Sequence, residues 1–222
     1  MFAIQKAFNE EEGWDTGLAR LYDILSQDFL YSDPQKIVTF ADNHDTERMY
    51  PVLKSVENVK MALAFLFTTR GIPLVYYGTE ALSDRGDLKG DPGKRKDFPG
   101  GWAGDKTNLF TNTNLSADQH SMLAFMTRLL NWHKGNKVVQ EGKLKHYIPE
   151  NGIYVYFRTL GKASVMVVMN NSKEVKTFET TRYNENLNGF KSGRDAMDGF
   201  TVVNLKSLTI PAKTVKIIEL TR

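Results

Sequence analysis

Lys36-Ile37-Val38-Thr39-Phe40-Ala41-Asp42-Asn43-His44-Asp45-Thr46-Glu47-Arg48 is the stretch whose reading decides the fold. The apolar run Ile37 to Ala41 stops abruptly at Asp42, Asn43, His44 and Asp45. A short run without polar alternation predicts a strand buried on both faces, and such strands belong to parallel sheets. In folds built from parallel strands and helices, the chemistry lies just past the carboxyl ends of the strands. Asp45 and His44 stand at that place, a carboxylate beside an imidazole, and form a candidate site. The competing reading is a polar loop that merely follows a strand.

The flanking segments extend the same pattern. Upstream, Trp14, Leu18, Leu21, Tyr22, Leu25 and Phe29 fall at helical spacing and predict a helix over 14–29, with Arg20, Asp23 and Gln27 on its other face. Met1 to Phe8 carries a shorter helical signal, and Ser32-Asp33-Pro34 is a turn before the strand. Downstream, a helix is expected over Glu57 to Thr69, closed by Arg70 and Gly71 in the order cation then glycine. A second apolar run, Ile72 to Tyr77, stops at Gly78. Pro73 sits at its start, where no ladder donor is lost. Helix, strand, helix, strand with short links is the pattern of repeated strand–helix units around a parallel sheet.

Thr79 to Leu115 has no period and is rich in glycine, which marks a long loop. Ser116 with Gln119 forms a capping box that opens a helix to about Lys134, with Leu123, Met126, Leu129 and Leu130 inward and Gly135 at its end. From Asn136 the pattern changes. Short β-rich runs follow one another: 138–147, 153–159, 164–169, 175–178, 200–205, 207–210 and 214–220. Tyr154 and Tyr156 alternate with Val155 and Phe157, so both strand faces carry large side chains and at least one is covered. The reading is two units, 1–135 and 136–222, the second an antiparallel β-sandwich.

Composition sets outer limits. The chain has 222 residues, a net charge of +3 and no cysteine. Interspersed acids and bases give no electrostatic case for nucleic acid or a membrane surface. The absence of cysteine excludes disulfides and thiol catalysis and leaves the compartment open. No apolar run approaches the roughly 18 residues of a membrane span, and the first residues do not have the form of a signal peptide.

Phe40-Ala41-Asp42-Asn43-His44-Asp45 and, one helix later, Gly71-Ile72-Pro73-Leu74-Val75-Tyr76-Tyr77-Gly78-Thr79-Glu80 together resemble the α-amylase family of glycoside hydrolases. They resemble its motifs at the ends of barrel strands seven and eight. The loop Asp91 to Trp102, with Arg95-Lys96-Asp97-Phe98-Pro99-Gly100-Gly101, is similar to the neopullulanase and cyclomaltodextrinase branch, where Lys96 is often a second arginine. The resemblance implies the last part of a (β/α)8 TIM barrel followed by a C-terminal β domain. It implies that Asp45 is the carboxylate that stabilises the transition state and that His44 hydrogen-bonds the sugar beside the scissile bond. It places Arg48 at the border of the substrate site, and gives Asn43, Tyr77 and Glu80 structural roles near it.

That reading implies a retaining α-glucan hydrolase acting on α-1,4, and in some members α-1,6, links in maltodextrin, cyclodextrin or pullulan. A glucanotransferase, a sugar isomerase or a non-catalytic carbohydrate-binding remnant are the alternatives. A fixed carboxylate stabilises an oxocarbenium-like state more than the neutral substrate, which is what catalysis requires. Retaining glycosidases also need a nucleophilic carboxylate and a general acid. Neither is expected among these residues, nor are the first strands of the barrel, so the chain is expected to be the C-terminal part of a larger enzyme and inactive by itself. No cofactor is required by this segment; calcium in the parent is not readable, and Asp84, Asp87 and Asp91 do not follow a calcium-loop spacing. Phe98 and Trp102 either stack on sugar rings or anchor the loop. His120, His133 and His146 lack a partner carboxylate at catalytic or metal spacing. Oligomeric state is not readable.

Overall fold

Two short strands in the N-terminal half, 38–40 and 72–74, pair in parallel. The computed structural model describes residues 1–202 and 204–222. The order is α1 (Phe2–Ala7), α2 (Ala19–Ser26), β1 (Val38–Phe40), α3 (Met49–Leu53), α4 (Val56–Thr68), β2 (Ile72–Leu74), α5 (Asp91–Lys94), α6 (Ala117–Gly135) and α7 (Lys137–Glu141). There follow β3 (Lys143–His146), β4 (Ile153–Leu160), β5 (Ala163–Asn170), β6 (Lys176–Glu179), α8 (Asn184–Leu187), β7 (Ser192–Asp195), β8 (Thr201–Val202), β9 (Ser207–Ile210) and β10 (Thr214–Thr221).

β1 pairs with β2, Val38 opposite Ile72 and Phe40 opposite Leu74. The expectation that the 37–41 run is buried on both faces does not hold: Val38 is 51% exposed, and its partner on the second strand, Ile72, is 52% exposed. Among the described residues no third strand joins this pair, so its outer edges and one face meet solvent. Gly71 makes the close turn between α4 and β2. Its φ is +104°, and a Cβ there would lie 2.6 Å from the Ile37 carbonyl oxygen, a clash only glycine avoids.

α4 is the centre of the N-terminal packing. Its N-cap Ser55 accepts a hydrogen bond from the Asn58 amide, and nearly every residue from Val56 to Thr68 is buried. A helix apolar on all sides needs neighbours on all sides. α6 covers one side, and the large β-sheet covers another: the Phe65 ring meets Tyr156 edge-on at 6.2 Å, and Thr68 Oγ1 lies 2.6 Å from the Tyr156 hydroxyl. The capping box of α6 is present, with Ser116 and Gln119 exchanging backbone and side-chain bonds at 3.0 and 3.1 Å. Its buried face is Met122, Phe125, Met126 and Leu129; Leu123 is only partly buried and Leu130 is exposed, so the apolar stripe is rotated from the expected one. The expected helix over 14–29 is shorter, with Trp14 99% exposed and Phe29 also in solvent. Helix ends fray where the terminal apolar residues find nothing to pack on.

The C-terminal residues build a six-stranded antiparallel sheet in the order β3-β4-β5-β10-β7-β8 and a two-stranded ribbon, β6-β9. Alternation along the strands loads both faces. Tyr154, Tyr156, Val165, Val167, Met169, Val215 and Ile217 share a core with α4 and α6. Ile153, Val155, Phe157, Met166, Val168 and Ile218 pack instead with Leu208, Ile210, Tyr183 and Leu187 under the ribbon. Both faces are therefore covered, one by helices and one by a thinner β layer.

Differences from the expected runs are local. Lys137–Glu141 is a helical turn capped by Asn136, whose side chain accepts from Val138 N at 3.0 Å; local capping outcompetes the β-branched pair there. Ile72–Tyr77 is extended only as far as Leu74. β7 was not expected, because Ser192-Gly193-Arg194-Asp195 carries no β-branched or aromatic residue; its pairing with β10 decides it. Of the run 200–205, Val203 lies outside the described residues.

One side chain ties the helices to the sheet. Arg158, on β4, is fully buried. It donates to the carbonyls of Thr68 and Thr69 at the end of α4, to Gly142 at 2.8 Å and to Gln35 Oε1 at 3.4 Å. The negative end of a helix dipole favours a cation there. Burial lowers its pKa to about 10, so it remains charged at neutral pH.

Candidate active site

The polar turn after β1 is shaped by its own side chains. Asn43 Oδ1 accepts from the amides of Asp45 at 2.9 Å and Thr46 at 3.1 Å, an Asx turn that fixes the backbone under His44 and Asp45. Behind it Asp42 is buried. It accepts from Met49 N at the start of α3 at 2.9 Å and from Thr79 Oγ1 at 3.4 Å, and it faces Arg48 Nε at 3.4 Å. Burial pushes the Asp42 carboxyl above its usual range against the opposing pull of Arg48, the Met49 amide and Thr79.

Arg48 is sandwiched beneath the turn, with its guanidinium 4.3 Å from the Tyr76 ring centroid and 5.7 Å from that of Tyr77. Its Nη2 donates to the Tyr77 carbonyl at 2.6 Å. At 2% exposure it does not border an open site, which corrects the expectation of a substrate contact. Its role here is to join the ends of the two parallel strands. Gly78 makes room for this: with φ +82°, a Cβ there would meet Ser83 Oγ at 2.5 Å and Arg48 Nη2 at 3.4 Å.

His44 and Asp45 point outward. Their side chains are 59% and 64% exposed, with His44 Nε2 3.2 Å from Asp45 Oδ2. The long loop folds back over this turn. Arg95 Nη2 donates to Asp45 Oδ1 at 3.0 Å and its Nε to the His44 carbonyl at 3.1 Å, while Lys94 Nζ donates to the Asp45 carbonyl at 3.0 Å. Arg85 pairs with Glu47, and Tyr77 Oη donates to the Lys96 carbonyl at 2.9 Å. Tyr77 thus lies near the site, touching both Arg48 and the loop. Glu80 is partly buried beside Thr79 and outside this network.

Phe98 is partly buried, its ring 5.3 Å from that of Phe110. Trp102 is exposed, held through its backbone by Asp105 Oδ2 at 3.1 Å. The structure therefore brings together Asn43, His44, Asp45, Tyr77 and the root of the loop, and leaves Trp102 apart from that contact set. Sequence reasoning missed Arg95, Lys94 and Tyr76 as neighbours of the turn. Their contacts span some fifty residues of chain in the case of Arg95, a separation that no local pattern reports.

His133 stacks edge-on with Phe67 at 5.2 Å, and His146 lies against Tyr22 at 4.7 Å, so both belong to the packing. Among the described residues, no group of three or more His, Asp or Glu converges as a metal ion would require. Chemically, the turn offers an exposed carboxylate able to accept hydroxyl protons and stabilise developing positive charge, beside an imidazole able to donate.

Residues 144–219 match the cyclo-malto-dextrinase C-terminal domain. The cyclomaltodextrin glucanotransferase of Bacillus sp. (strain 6.6.3) is 28% identical over 193 residues, covering 83% of this chain and 24% of that protein. The corresponding protein of Geobacillus stearothermophilus is 30% identical over 164 residues, covering 74% of this chain and 20% of that one. The chain is thus similar to cyclomaltodextrin glucanotransferases over most of its length. Among solved structures, the α-amylase of Geobacillus thermoleovorans, crystallised with acarbose, superposes with a TM-score of 0.76 at 21% identity, covering all of this chain and 46% of that one. At that identity the likeness concerns the fold. The chain spans a quarter or less of the length of the two curated relatives.

Proposed function

We propose that this chain supplies the sugar-binding and charge-stabilising wall of an α-glucan active site. Asp45 stabilises the oxocarbenium-like transition state and holds sugar hydroxyls, and His44 donates to a hydroxyl of the sugar next to the scissile bond. The observation that carries this reading is the exposed His44–Asp45 pair, fixed by the Asn43 turn at the carboxyl end of parallel strand β1. A charge-stabilising group must be held in place before the charge develops, and the Asx turn and the Arg95 contact do that.

In this reading 1–135 is the last part of a (β/α)8 barrel and 136–222 is the C-terminal β domain that packs on it. On the same reading the nucleophile and the general acid come from outside these residues; the other carboxylates beside Asp45 are engaged, Asp42 buried against Arg48 and Glu47 paired with Arg85. The reaction is retaining hydrolysis of α-1,4 or α-1,6 glucosidic bonds in maltodextrin, cyclodextrin or pullulan. Transfer to a second sugar is the other reading, favoured by the similarity to cyclomaltodextrin glucanotransferases; water and a sugar hydroxyl compete for the same intermediate, and Asp45 serves either.

Calorimetric titration of the purified chain with maltotriose and acarbose tests the assignment. Binding is expected, with Asp45→Asn and His44→Ala each weakening it while circular dichroism stays unchanged. The same chain is expected to release no reducing sugar from pullulan or cyclodextrin. Equal binding by the wild type and both variants would remove the assignment.

A further inference from the structure

α1 is six residues long, and a helix of that length is marginal unless neighbours hold it. Gln5 Nε2 donates to the Ala41 carbonyl at 3.1 Å. Ala41 lies one residue past the last pair of the β1–β2 ladder, Phe40 opposite Leu74, and leads directly into Asp42 and the Asn43 turn. On the other flank of the turn, Asn9 Nδ2 donates to the Val52 carbonyl in α3 at 2.5 Å. The segment 5–9 therefore touches the chain just before the turn and just after it. The same segment is fastened to the sheet. The last carbonyls of a helix lack partners within it, and the negative end of its dipole favours a cation. Asn171 Nδ2, just after β5, donates to the Ala7 carbonyl at 3.2 Å. Lys213 Nζ, just before β10, donates to the Phe8 carbonyl at 3.1 Å and to Asn171 Oδ1 at 2.7 Å. Glu12 accepts from Gly152 N, between β3 and β4. Lys213 adopts φ +47°, a conformation that glycine or asparagine takes more readily. What the chain gains from a lysine at that strained position is the joint to α1.

We infer that α1 is a strut through which the β unit holds the turn that carries His44 and Asp45, with Lys213 and Gln5 as its two fasteners. Lys213 is a positioning residue: it fixes the end of α1, and α1 in turn fixes Ala41 through Gln5 and Val52 through Asn9. The Asn43 side chain sets the local shape of the turn, but not where the turn sits relative to the strands and helices around it. A charge-stabilising carboxylate must hold that place before charge develops, and the strut supplies the constraint. This route is distinct from Arg158, which reaches the end of α4 and Gln35. Its bearing on catalysis rests on the glucan reading of Asp45; the mechanical link between sheet and turn does not.

The test reads amide hydrogen exchange on the purified chain, residue by residue. Lys213→Ala and Gln5→Ala are each expected to speed exchange over 42–46 roughly 3- to 10-fold while 153–170, in the sheet core, stays as in the wild type. Lys213→Arg, which keeps a cationic donor, is expected to restore protection, and Lys162→Ala, an exposed lysine in the β4–β5 hairpin, to change nothing. Because the two fasteners act in series, the double variant Gln5→Ala with Lys213→Ala is expected to exchange no faster over 42–46 than either single one. Wild-type exchange over 42–46 in both single variants overturns the strut. Equal acceleration over 42–46 and 153–170 assigns Lys213 to global stability and overturns it as well, and so does full additivity in the double variant. Calorimetry with maltotriose separates the strut from the glucan reading. Asp45→Asn without effect on affinity removes that reading, while acceleration confined to 42–46 still supports the strut.

Discussion

Asp42 and Arg48 face one another at 3.4 Å under the candidate site, each only 2% exposed. The pair is the underside of the turn whose upper side carries His44 and Asp45. Arg48 reaches the Tyr77 carbonyl at the end of the second strand, and Asp42 reaches the Met49 amide of α3. The geometry of the exposed pair is therefore inherited from the buried one.

Removing one partner leaves the other charge buried and unpaired. Arg48→Met is expected to destabilise the chain by about 3–5 kcal/mol in urea denaturation, and the double variant Asp42→Leu with Arg48→Met by clearly less. Additive losses in the double variant would show that the two groups are not coupled.

Acid should weaken the fold through two histidines. Burial lowers the pKa of His133 and of His146, the latter despite the opposing pull of Asp28. His146 Nδ1 also lies 2.9 Å from the Tyr154 hydroxyl. A group whose folded pKa is depressed contributes stability that is complete above its unfolded value, about 6.5, and is lost as pH falls toward the folded value. Asp42 works in the opposite sense, since its raised pKa means that protonation favours the fold; that gain sits in the acid range. The midpoint of thermal unfolding is expected to drop between pH 7.5 and 5.5, with a slope of at most about 1.4 kcal/mol per pH unit for each histidine. His146→Gln should flatten that drop; an unchanged slope would assign it to other groups.

The loop is fastened to the turn by exposed contacts. Pairs of this kind contribute about 0–1 kcal/mol each, so Arg95→Ala is expected to leave global stability nearly unchanged. It should nevertheless speed amide hydrogen exchange in 43–47 and 84–97, because it removes the contacts to both Asp45 and His44. Protection equal to wild type in both segments would mean that Lys94 and the Arg85–Glu47 pair suffice.

Much of this was legible in the chain. The strand–turn–helix grammar around Lys36 to Arg48 yields the parallel pair, and the Ser116–Gln119 pattern yields the start of α6, because capping and periodicity are local. Alternation at 153–157 reports that both sheet faces are loaded, but not that helices cover one and a ribbon the other. The exposure of Val38 escapes the sequence because apolar character says what a side chain prefers, not whether a neighbour is present. Arg48 was placed at the rim for a related reason: its burial depends on Asp42 and Tyr76, whose positions follow from the closed turn. Arg95 acquires meaning only once the loop has folded back across the chain.

Arg158 sets a limit on how such a chain can be remodelled. Its positive charge sits in β4, while two of its acceptors, Thr68 and Thr69, lie at the C-terminal end of α4 and a third in the segment before β1. A recombination event that replaced residues 136–222 with an unrelated β unit would leave carbonyls at the end of α4 without a donor, directly behind the two strands that carry the site. Inheritance of the turn is thereby linked to inheritance of the sheet, and the two segments are expected to travel through evolution as one exchangeable block rather than as independent modules.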